Sequence, residues 1–252
     1  MSLTWRPGFQ FDVDASAYIE AVEAADEIAS PGIGALETGV RYAINNFVIG
    51  CKQDGIWSAI KASCILAGAR TLQGALVPLV GTAPTKYGTE GGWNYNRKTG
   101  LQGNGTDNYL DSNRANDADP QDDNHNAVWN TSGTGFAIGT GNNLAGRNFL
   151  NGFNTSIRSS TVTAWSGGFG FWGTSRSSSS AYARRRDSAT QTVSTASQSP
   201  TAGQSVSVFA YSGGGGYSTN VIAFYSIGES LDLAALDGRV TDLMTAIGAA
   251  IP

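Results

Sequence analysis

Residues 97–130, RKTGLQGNGTDNYLDSNRANDADPQDDNHNAVWN, divide the chain into two patterns. Upstream, apolar residues recur at spacings of three and four. Downstream they recur at a spacing of two, in short runs separated by Gly-, Ser- and Asn-rich turns. Strand signals begin near Asn94. They continue over 108–112, 126–130, 135–140, 147–153, 155–159, 161–166, 169–173, 181–186, 190–194, 204–211 and 220–228. In 204–211, Val206, Val208 and Ala210 point one way and Ser205, Ser207 and Phe209 the other. Many short strands with no helical pattern between them predict an antiparallel sandwich or barrel.

Working outward, the upstream pattern predicts three helices. The first runs over 15–29, capped by Asp14, with Tyr18, Val22 and Ala25 on one face and acidic residues on the other. The second runs over 35–50, with Leu36, Val40, Ile44, Phe47 and Val48 as its stripe. The third runs over 55–69, capped by Asp54 and carrying Ile56, Trp57, Ile60, Cys64 and Ile65. Together they predict a small bundle. Residues 72–80 read as a buried connection or a partial turn, and 81–93 as a linker. The opening arm, 1–11, offers Trp5, Phe9 and Phe11 as apolar hooks. At the far end, Asp232 caps a helix over 233–249 that carries Leu233, Leu236, Val240, Leu243 and Ile247. The expected organisation is an arm, helical anchor and linker at 1–93, a β-sandwich at 94–229 and a closing helix at 230–252.

Charged residues make up 14% of 252, Gly numbers 33 and the net charge is −4. Such a hydroxyl- and amide-coated chain is typical of extracellular and virion β-proteins. The acidic balance argues against a broad nucleic-acid surface, which needs clustered Lys and Arg. No apolar run is long enough to insert in a membrane, and the opening MSLTWRPGFQ lacks the apolar core of an export signal. Cys51 and Cys64 read as small buried residues in facing helices, a disulfide being the alternative.

The segment GLQGNGTDNYLDS, 100–112, resembles the opening of concanavalin A-like, laminin-G-like jelly rolls. Leu101, the Gly103–Thr106 turn, Asp107 and the Tyr109-Leu110 strand fill the family's roles, and Ala127-Val128-Trp129 is similar to its next strand. The tail NVIAFYSIGESLDLAALDGRVTDL resembles phage-borne versions of the domain. FVIGCKQDGIWSAIKASCILAGARTLQGALVPLVGTAP resembles segments of phage structural proteins. The resemblance implies a mainly β fold: an antiparallel jelly-roll β-sandwich, preceded by a small helical bundle and followed by a C-terminal helix. It also implies a virion component that acts outside the cell. That component is a tail-fibre or baseplate protein, its helical part docked to other virion proteins and its sandwich facing the host. Fibres of this kind are usually trimeric. A capsid decoration protein with no ligand and a polysaccharide-degrading jelly roll are the alternatives.

Candidate chemistry is sparse. The single histidine, His125, lies in an Asp/Asn run that reads as a solvent-facing loop or strand start, with no nucleophile elbow nearby. The glutamates at 20, 23, 27, 37, 90 and 229 form no strand pair of the glycosidase kind, so no catalytic residue is assigned. Asp119, Asp122 and Asp123 offer oxygen ligands in the manner of a calcium loop, against the reading of a solvated acidic turn. No cofactor motif is read. For a host surface glycan, Trp165, Trp172, Tyr182 and Tyr217 can stack on sugar faces, although such rings more often sit in the core. Arg176, Arg184 and Arg186 can fix hydroxyls or acidic groups. On a strand, Arg184 and Arg186 share one face and Arg185 takes the other, and one of the three reads as an interior or intersubunit ion-pair partner, for example to Asp187 or to a neighbouring chain. The SGGGG run, 212–216, and SRSSSS, 175–180, read as loop tips.

Overall fold

A computed structural model describes residues 10–140, 145–200, 202–211 and 215–252. The arm residues Trp5 and Phe9 and most of the 212–216 run lie outside the described residues. In chain order the elements are α1 (Val13–Ala29), α2 (Thr38–Gln53), β1 (Ile60–Ile65), α3 (Leu72–Ala75), β2 (Thr85–Tyr87), β3 (Asn94–Asn96), β4 (Gly100–Gln102) and β5 (Tyr109–Ala115). There follow β6 (Asn124–Ser132), β7 (Phe136–Gly139), β8 (Asn148–Asn151), β9 (Asn154–Ile157), β10 (Thr163–Ala164) and β11 (Gly170–Arg176). The chain closes with β12 (Ala181–Arg186), β13 (Ala189–Ser194), β14 (Ser205–Val208), β15 (Val221–Gly228) and α4 (Leu233–Ala250).

The strands form two antiparallel sheets, the expected β-sandwich. The larger runs β13-β12-β11-β6-β15; along the other edge of β15 lie β4, followed outward by β3, and β1. The smaller runs β10-β9-β8-β7-β14-β5-β2. α1, α2 and α4 cover the face of the larger sheet that the smaller sheet leaves free. The larger sheet is therefore buried on both faces, and its alternation sorts side chains between two cores. In β6, Ala127 and Trp129 join the helical core while Val128 joins the inter-sheet core; in β11, Phe171 and Trp172 divide the same way. In β15, Phe224 meets Phe47 of α2 edge-on at 5.6 Å, while Tyr225 packs between the sheets. Each such ring contributes about 2–3 kcal/mol of apolar burial.

Three expectations are corrected. The apolar run at 55–69 is not a third helix: a single 3-10 turn leads into β1, which pairs with Phe224–Gly228 of β15. A strand buried on both faces is continuously apolar, so its spacing mimics a helical stripe. The linker at 81–93 contains β2, paired with β5. Strands ahead of residue 93 thus belong to both sheets. The caps also differ. Asp12, not Asp14, caps α1, and Asp54 lies at the C-terminal end of α2, paired with Arg239 of α4 at 2.7 Å. Asp232 does cap α4, accepting from the Ala234 and Ala235 amides.

Asp26 departs from the acidic outer face expected of α1. It is fully buried and accepts hydrogen bonds from the Arg70 and Thr71 amides and the Thr71 hydroxyl at 2.7–2.8 Å. In 204–211 the alternation ends at Phe209, whose φ of +71° turns its ring into the inter-sheet core.

The close approach of β1 to β15 requires Gly228, where a Cβ would lie 2.0 Å from the Ala59 carbonyl oxygen. Gly238, on the exposed side of α4, has open space. Gly228→Ala is expected to destabilise by about 2–3 kcal/mol. Gly238→Ala is expected to stabilise by about 0.5–1 kcal/mol. Urea unfolding of the two variants checks the opposite signs.

Candidate functional site

At the free edge of the larger sheet, β12 and β13 form a hairpin whose two-residue turn, Asp187-Ser188, has both residues at positive φ, 51° and 58°. That turn type sets the register, Arg186 opposite Ala189 and Arg184 opposite Gln191. Arg186 also stands opposite Trp172 of β11, so Arg184 and Arg186 lie on the face that looks toward the smaller sheet. Arg185 takes the other face and is the one that pairs within the chain, with Asp237 of α4 at 2.8 Å rather than with Asp187.

The smaller sheet ends at β10, and the chain that follows brings Trp165 over this hairpin. The result is a cleft of about 240 Å³ lined by Trp165, Ser166, Arg184, Arg186 and Gln191, with Ala164 and Ala189 at its edges. Trp165 is half-buried and anchored by its indole N–H to the Asn151 carbonyl at 2.9 Å.

The two arginines play different parts. The Arg186 guanidinium lies 4.4 Å from the Trp172 ring centroid and 5.3 Å from that of Trp165, and it donates to the Gly152, Gly167 and Gly168 carbonyls. Burial holds its pKa below the usual arginine value. With every nitrogen engaged, it is a strut that fixes the indole. Arg184 lies 5.8 Å from the Trp165 ring, bonds the Ala164 carbonyl through Nη1 and grips the Gln191 Oε1 through Nε and Nη2. These bonds use three of the five guanidinium N–H groups, which leaves two for a ligand.

Of the sequence candidates, Trp165, Arg184 and Arg186 therefore meet in one cleft. Trp172 and Tyr182 do not line it; they are 1% and 2% exposed and belong to the interior, where the Tyr182 hydroxyl bonds Thr155 at 2.8 Å. Arg176 is likewise buried. Tyr217 lies apart, beside Tyr109 of β5 at 6.3 Å, and Tyr109 stacks on Tyr87 at 4.8 Å. Sequence reasoning missed Gln191 and the exposed Phe153 beside Trp165. The hairpin register was the signal for Gln191. For Phe153, whose carbonyl accepts from the Trp165 amide at 2.8 Å, the contact joins two loops that one-dimensional spacing does not bring together.

Two of the three acidic candidates are bound within the fold, while the Asp122 Oδ1 is buried with no partner. Asp119 pairs with Arg114, and Asp123 accepts from the Ser230 amide and hydroxyl at 2.7 and 2.6 Å. Among the described residues no group of three or more His, Cys, Asp or Glu side chains is placed to hold a metal ion. No helix among them is long and apolar enough to cross a membrane. Cys51 and Cys64 are free, and burial pushes both thiols up to about 12; Cys64 sits in β1, not in a helix.

No family model matches the chain, and no curated protein matches it significantly. Function must therefore be argued from geometry.

His125 is not the solvent-facing residue expected. It is fully buried at the start of β6. Its Nδ1 donates to the Glu229 carbonyl at 2.5 Å, so its Nε2 accepts from the Ser226 hydroxyl at 2.7 Å. Burial pushes its pKa down to about 4 from 6.5. The unfolded chain therefore binds a proton that the folded chain refuses between those values, and stability falls as pH falls through that window. The drop from pH 7.5 to 4.5 is expected to cost about 2–3 kcal/mol through this group. Urea titrations at the two pH values, run beside His125→Gln, should show the variant losing that part of the slope.

Proposed function

We propose that the chain is a phage tail-fibre or baseplate-associated protein that binds host-surface glycan through the cleft at Trp165 and Arg184. The helical layer docks to other virion proteins, with Val13 and Ile28 of α1 exposed for that contact. Affinity per chain is weak and is multiplied by copies on the particle.

The observation that carries this reading is the convergence in one cleft of a braced indole, a guanidinium with N–H groups to spare and an amide. A sugar presents an apolar C–H face and a ring of hydroxyls, and this set matches both. A carboxylated sugar would use the spare Arg184 donors as well. Phe153, exposed and bonded through its carbonyl to the Trp165 amide, supports a surface made for contact. None of the residues lining the cleft is a carboxylate, which supports recognition over hydrolysis there.

Glycan-array binding of the purified chain tests the reading. Trp165→Ala is expected to weaken binding at least tenfold, about 1.4 kcal/mol. Arg184→Gln is expected to erase any preference for acidic over neutral sugars. Retention of full binding by Trp165→Ala, or no binding to any host polysaccharide, overturns the glycan role.

A further inference from the structure

Where β6 begins and β11 ends, the space between the sheets turns from apolar to polar. The pairs Asn126 opposite Thr174 and Asn124 opposite Arg176 lie side by side, on the face that carries Val128 and Trp172 into the inter-sheet core. All four residues are at most 1% exposed. Each has side-chain atoms with no partner: both polar atoms of Asn126, the Thr174 hydroxyl, the Asn124 Oδ1 and the Arg176 Nη2.

The opposite sheet adds Arg158, 1% exposed, whose Nε is also without a partner. The two guanidiniums are tied to one place. Arg176 Nε donates to the Ile157 carbonyl at 3.0 Å, one residue before Arg158. Arg158 in turn bonds the Asn116 Oδ1 at 2.6 Å and the Asp119 carbonyl at 2.9 Å.

Among the described residues neither guanidinium forms an ion pair. Carboxylates act on the two only from beyond contact: Asp122, whose Oδ1 is buried with no partner, on Arg176, and Asp117 and the Arg114-paired Asp119 on Arg158. Two buried cations whose direct partners are carbonyls and amides keep part of their desolvation penalty. Burial depresses both groups, Arg158 to about 10.

We propose that this chamber between the sheets is a binding site for a small monovalent anion of chloride size. Its donors are Arg176 Nη2, Arg158 Nε, Asn126 Nδ2 and the Thr174 hydroxyl. Asn124 cannot turn its amide inward, because its Nδ2 already donates to the Pro120 and Gln121 carbonyls at 3.2 Å. Its inward Oδ1 accepts from a water bridging to the anion, as does the Asn126 Oδ1.

Crystals grown in sodium bromide test the site by anomalous scattering. The expected result is a bromide peak within hydrogen-bond reach of Arg176 and Thr174. In solution, exchanging gluconate for chloride at constant ionic strength is expected to raise Tm by about 3 °C. Thr174→Val should reduce that response, and Asn126→Asp, which supplies the negative charge covalently, should abolish it. Water alone in the chamber overturns the proposal, as does a chloride response that both variants retain.

Discussion

The structure depends on the burial of one strand, β15, on both faces and along both edges. β6 pairs along one edge and β1 and β4 along the other, while Phe224 and Tyr225 enter different cores. Backbone groups so deeply buried must be paired, because an unsatisfied one costs about 1–3 kcal/mol. The 60–65 segment is therefore obliged to be a strand. Its apolar spacing would suit a helix, but a helix there would strip one edge of β15 of partners. From this follow the three layers and the cooperation of segments far apart in sequence.

The same constraint places the cleft. Since the larger sheet is covered on one face by helices and on the other by the smaller sheet, an opening toward its inner face can occur only where a sheet ends. β10 is that end, and the β12–β13 hairpin projects beyond it. Arg185 ties the hairpin to α4 through Asp237, while Arg184 and Arg186, on the opposite face, meet Trp165. Alternation along a single strand thus joins the helical layer to the cleft. The ion pair itself adds modestly to stability; its effect is to hold the edge strand in register.

Much of the architecture was legible because its signals are local. The long helices around Val40 and Leu236, the Asp232 cap and nearly every strand from Asn94 onward follow from spacing and turn chemistry. What could not be read is non-local. β1 is held along its edge by β15, far along the chain, and its two faces enter different cores, so no period in 60–65 reports its state. Asp26 looks like a surface acid until the Arg70 and Thr71 amides are brought to it. The aromatic candidates divided for the same reason: Trp165 and Trp172 have similar Gly/Ser-rich neighbours, and only the position of β10 leaves one beside the cleft and the other in the core. Arg184 and Arg186 were found from strand parity, whereas Gln191 required the hairpin register.

Native-state hydrogen exchange of the 60–65 amides against those of β15 tests most directly whether helices and sheets form one cooperative unit. Equal protection, with both segments exchanging only through global unfolding, is the predicted result. Rapid exchange at 60–65 while β15 stays protected would show that the front of the chain opens by itself and would contradict the account.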